Sequence, residues 1–146
     1  MTEELYRLFD FCLIESPAAP SSIAYGKLFK FADTIPIVKG IAHTDLFAYC
    51  DALGYDPETF FKRMGEKNIF WEMNINYDSI HGYREHAYVK RFFEDETWQD
   101  IIRRNHVPIA IGFDGHRVED YLPERVKEYN EKLKKFGVRT VEELLN

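Results

Sequence analysis

Four short apolar runs punctuate the chain: FCLI at 11–14, IVKGI at 37–41, IFWEMNI at 69–75 and VPIAIGF at 107–113. Runs this short, bounded by Gly, Pro and Asp, read as buried parallel strands. Helical signals lie between them. Ser21 or Ser22 is placed to cap a helix through Phe31, and Asp45 to cap one ending at Gly54. Asp56-Pro57 opens another that ends near Gly65. Tyr88, Val89, Phe92 and Phe93 form a helical apolar stripe, and residues 118–136 read as one long amphipathic helix closed by Gly137. Thr140 and Glu143 have capping-box spacing before Leu144 and Leu145. Strands alternating with helices predict an α/β fold with about four parallel strands. So small a sheet has two edges that something must cover.

Length and composition narrow this picture. The 146 residues suit one domain, and 45% apolar with 30% charged residues is the profile of a folded chain. An aromatic content of 16% predicts an aromatic core or a sizeable interface. A formal net charge of -6 argues against a nucleic-acid backbone as partner, which needs a basic stripe. The basic cluster Lys132, Lys134 and Lys135 alternates with Glu128 and Glu131 and reads as a solvated helix face. Cys12 and Cys50 sit among apolar neighbours without CxxC spacing, as buried free thiols do. The acidic start MTEELYRLF has no leader-like apolar run, and no stretch is apolar enough to span a bilayer. The expectation is a cytoplasmic chain with no membrane partner.

In parallel α/β folds, ligands bind beyond the carboxyl ends of the strands. Glu15 follows the first run and His43 the second; Glu72 and Asn74 lie in the third, and Asp114 and His116 follow the fourth. An imidazole and an Asp-x-His pair from two strand ends form a metal-site pattern, suited to Zn, Mn or Fe. Gly112 and Gly115 permit close backbone approach there. The plainer readings are a turn for Asp-x-His and a satisfied imidazole for His43, beside Asp45. His86 and His106 read as surface residues. His81 shares a loop with Tyr77, Tyr83 and Arg84 that could fold over the site, with Arg84 the candidate phosphate-binding group.

The order of three segments carries a resemblance. GIAHTDL at 40–46, IFWEMNIN at 69–76 and VPIAIGFDGH at 107–116 resemble the His-Pro-Asp, Leu-Glu-x-Asn and Gly-Ser-Asp-Ala-His segments of the PHP (polymerase and histidinol phosphatase) family. The resemblance covers nearly the whole chain. It implies that residues 1–146 are the C-terminal part of a distorted β/α barrel whose divalent metals hydrolyse a phosphate monoester. It assigns metal-ligand roles to His43, Asp114 and His116, and makes Glu72 a structural strand carboxylate. The sequence also departs from the family. The opening His-x-His strand and further first-half ligands are missing, since no His precedes position 43. Glu15 and Pro17 stand near an expected ligand His, which makes Glu15 a candidate substitute for metal or substrate. Phe113 replaces a Ser, and Thr44 a Pro. Three readings follow: an enzyme fragment, a domain binding one metal ion or a small phosphorylated ligand without turnover, or an interaction scaffold. A partial barrel implies a homo-oligomer or a missing N-terminal half.

Overall fold

The computed structural model describes residues 3–77, 82 and 84–145. Its elements are α1 (Glu3–Tyr6), β1 (Phe11–Ile14), α2 (Leu28–Ala32), β2 (Val38–Ile41), α3 (Leu46–Leu53), α4 (Pro57–Glu66), β3 (Ile69–Tyr77), α5 (Ala87–Glu94), α6 (Glu96–Arg104), β4 (Ile109–Asp114), α7 (Pro123–Phe136) and α8 (Glu142–Leu145). The strands form one all-parallel sheet in the order β1-β2-β3-β4. The chain thus lays each new strand beside the last and returns through helices, as the strand–helix alternation predicts. Beyond β4 the segment after α7 continues the sequence: Ile109 N–H donates to Arg139 O, and Val141 N–H donates to Ile109 O, both at 2.9 Å. That covers part of one sheet edge.

Side chains alternate across a strand, and here the alternation divides core from site. One sheet face carries Ile14, Ile41, Ile69, Trp71, Met73, Ile75 and Ile109, all 4% exposed or less and packed in the core with the helices. Trp71 is its centre, with rings of Phe61, Tyr88 and Phe92 at 5.7, 5.6 and 6.1 Å and its indole N–H donating to Thr44 O at 2.8 Å. Phe47 stacks on Trp98 at 3.8 Å. Much of the aromatic excess is therefore core. The other face carries Phe11 and Leu13, which remain exposed on edge strand β1, then Phe70 and the polar residues of β3. A recess of about 220 Å³ on this face is lined by Phe11, Leu13, Phe70, Glu72, Ala110, Ile111, Val141 and Leu145.

Capping matches expectation where the signal is local. Asp45 accepts Ala48 N–H and Asp56 accepts Thr59 N–H, both at 2.9 Å; Gly54 and Gly137 close their helices in the left-handed region. Two expectations fail. The helix expected from Ser21 or Ser22 begins only at Leu28, because Ser22 Oγ takes Ala24 N–H, successive four-residue turns fill 16–27, and Gly26 has φ +65°. The helix expected over 118–136 breaks: a 3-10 turn Val118–Asp120 is followed by extended residues, and the helix starts afresh at Pro123. Proline disfavours a helical conformation in the residue before it, and Leu122 has φ -116°, ψ 87°. Among the described residues no helix is long and apolar enough to cross a membrane.

Candidate functional site

The site is organised by β3. Glu72, Asn74 and Asn76 alternate with the core residues Trp71, Met73 and Ile75, so all three point to the face opposite the core. They are 9%, 1% and 0% exposed. Buried polar groups need partners, and each of these holds a segment carrying a candidate donor. Glu72 Oε2 accepts the backbone N–H of His43 at 3.1 Å. Asn74 Oδ1 accepts the N–H of Asp114 at 2.8 Å. Asn76 Nδ2 donates to Asp120 O at 2.6 Å, and Asp120 Oδ2 accepts the N–H groups of His116 and Arg117, both at 2.8 Å.

Those tethers place the side chains at the carboxyl end of the sheet. His43 Nε2 lies 3.3 Å from Glu15 Oε1. Asp114 has one imidazole on each side: His116 Nε2 is 3.8 Å from Oδ1, and His86 Nε2 is 3.8 Å from Oδ2. The His43 and His86 rings stack at 6.1 Å with an interplanar angle of 25°. The site runs from wet to dry, with Glu15 and His116 side chains 71% and 73% exposed, His43 and Asp114 26% and 28%, and His86 9%. Burial pushes the Glu72 carboxyl above its ordinary range; the His43 N–H and charge oppose this, and nearby Asp114 and Glu15 reinforce it.

His86 overturns the expectation of a surface residue. It is buried, stands at the N-cap of α5, and donates its N–H to Asn74 O at 3.2 Å. Its place at the start of the apolar stripe of α5 suggested a surface residue, and only the tether to Asn74 brings it over the sheet. The ladder Glu72-x-Asn74-x-Asn76 was legible, as three polar residues on one face of an apolar strand. Asp120, in the same β4–α7 connection as His116, left no such signal, since no pattern marked it as the acceptor of the His116 and Arg117 N–H groups. His106 is exposed, as expected. Arg84 is exposed in the segment leading to His86, while His81 and Tyr83 lie outside the described residues. Arg125 of α7 also reaches the end of β3, with Nη1 3.1 Å from Asn76 Oδ1 and Nη2 3.2 Å from Glu85 Oε2. Cys12 is half-buried, and burial pushes the thiol of the fully buried Cys50 up to about 12, which leaves it inert.

The donors suit a divalent cation. Imidazole and carboxylate are ligands of Zn, Mn and Fe. Two ligands of one tetrahedral ion, at bonds of about 2.1 Å, stand roughly 3.4 Å apart; the 3.3 and 3.8 Å pairs lie close to that spacing. Asn74 Nδ2 is buried without a hydrogen-bond partner among the described residues, a donor available to an oxygen ligand. Among the described residues no three His, Cys, Asp or Glu side chains already surround one point as an ion requires. No family model matches this chain, and neither a curated protein nor a solved structure matches it.

Proposed function

We propose that the carboxyl end of the sheet is a divalent-cation site for a small phosphorylated molecule, in the manner of PHP phosphatases, with hydrolysis of a phosphate monoester as the reaction it serves. One observation carries this reading. Glu72, Asn74 and Asn76 of a single strand hold, one after another, the backbones of the segments bearing His43, Asp114 and His116. A strand that commits its buried polar face to positioning donors fits a site that must be preorganised.

When bound, the cation supplies Lewis acidity toward water and phosphoryl oxygen. The roles of the chain are distinct from that. His43, Asp114 and His116 would hold the ion, and exposed Glu15 would accept a proton or complete the ligand set. Glu72 keeps His43 in place through its backbone. Arg84 and Arg125 are the cations suited to phosphate oxygens. Among the described residues the donors are fewer than a full multi-ion cluster needs, so turnover by this chain alone should be low.

The test is metal content and monoester hydrolysis with added Mn or Zn, beside His116→Ala. A bound ion and hydrolysis that both decline in the variant support the phosphatase reading. A bound ion without turnover favours the binding domain. Failure to bind either ion overturns the site.

A further inference from the structure

His86 sits in the driest part of the site, its ring stacked on His43 and its Nε2 3.8 Å from Asp114 Oδ2. We propose that His86 is a direct ligand of the cation, and that it makes the site one for an imidazole-preferring transition ion such as Zn, Co or Fe instead of Mg or Ca. This rests on the cation-site reading above.

Two plainer roles for His86 fit less well. It occupies the N-cap of α5, where Ser, Thr, Asp or Asn would be preferred for a side-chain bond to the helix. His86 makes no side-chain cap bond. It could also be an ordinary core ring, and its edge contact with Tyr88 at 5.7 Å does fill space. That contact does not account for the ring edge turned to a carboxylate, with Nε2 3.8 Å from Asp114 Oδ2. An N···O separation of 3.8 Å is too long for a hydrogen bond. It is close to the spacing of two ligands on one ion.

The tethering supports the same role. Asn74 fixes both partners at once: its carbonyl takes the His86 N–H at 3.2 Å, and its side-chain oxygen takes the Asp114 N–H at 2.8 Å. Both backbones are thus held by one buried residue. Asp114 presents Oδ2 to His86 and Oδ1 to His116, so the carboxylate has an imidazole on each side. With His86 counted, the donors become rich in nitrogen, and imidazole favours Zn, Co and Fe, whereas Mg and Ca favour oxygen.

The experiment uses the full chain, stripped with EDTA and titrated with Co(II) and Zn(II), with His86→Ala, His86→Cys and His116→Ala in parallel. Far-UV circular dichroism checks the fold of each. Wild type should bind both ions, and Mg should not compete. His86→Ala should weaken binding by more than about 100-fold, beyond the 10–100-fold typical of residues that only orient ligands. His86→Cys with Co(II) should gain a near-ultraviolet thiolate-to-cobalt band that wild type, carrying the same Cys12 and Cys50, lacks. Cobalt binding by His86→Cys without that band, or unchanged affinity in His86→Ala, overturns the assignment. Should His86→Ala not fold, His86→Cys decides; should neither fold, hyperfine-shifted His86 ring protons in cobalt-loaded wild type decide, and their absence overturns it. Weakening in His116→Ala alone removes His86 from the site and leaves the cation reading standing. A wild type that binds neither ion removes both.

Discussion

The side-chain oxygen of Asn74 accepts the backbone N–H of Asp114 at 2.8 Å, joining the middle of β3 to the end of β4 at the point where the candidate donors gather. Asn74 is 1% exposed, so water does not replace this bond easily. Asn74→Ala leaves the Asp114 N–H without its acceptor and should cost about 1–3 kcal/mol in urea unfolding. It should also weaken cation binding by about 10–100-fold, the effect expected of a residue that orients a ligand. Unfolding and cobalt titration of the same variant check both figures; full retention of affinity would separate Asn74 from the site.

Glu72 crosses the sheet directly over Gly112, its register neighbour but one on β4. A Cβ at 112 would fall 2.2 Å from Glu72 Oε1 and within 2.9 Å of Cδ and Cγ. Gly112→Ala should therefore displace the carboxylate from the His43 N–H and cost about 1–3 kcal/mol by overpacking. Combined with Glu72→Ala, the loss should be clearly less than the sum, since both changes act through one contact. Additive losses in a double-mutant cycle would show that the contact does not matter.

The buried Glu72 carboxyl sets a pH dependence for the metal-free protein. Its folded value lies above the ordinary 4.5. Between those values the folded chain holds more protons than the unfolded one, so stability is fully present below 4.5 and falls as pH rises through the window. Glu72→Gln cannot ionise and should lack this slope. Its stability relative to wild type should rise with pH across the window and then level off. Urea unfolding of both EDTA-treated proteins from pH 4 to 8 checks the sign; parallel curves would place the ionisation elsewhere.

Helix α4 contains Gly65, where alanine would ordinarily gain about 1 kcal/mol in helix propensity. Here a Cβ would sit 1.8 Å from the backbone oxygen of Asn105, at the end of α6. A backbone atom cannot rotate away, so the two helices would have to separate, and with them the Glu58 contacts to Arg104 and Asn105. Gly65→Ala should be destabilising by about 1–3 kcal/mol despite the better propensity. A thermal melt shifted upward would contradict this.

Features that depend on nearby residues could be read along the chain. The apolar runs became four parallel strands because buried strands need only apolar residues bounded by turn formers. Asp45, Asp56, Gly54 and Gly137 cap where they were read to cap because a cap acts within one helical turn. His43, Asp114 and His116 follow strand ends, so the topology of a parallel sheet brought them to one end. Features that depend on distant partners emerged only on packing. Turn hydrogen bonds and Gly26 shortened the helix read from Ser21 or Ser22, although its apolar pattern was right. His86 became buried because Asn74 holds its backbone over the sheet, twelve positions away in sequence. Asp120 joined the site through its backbone bond to Asn76, 44 positions away in sequence. Periodicity reports which face a residue takes within its own element; which residues meet across elements is set only when the sheet packs.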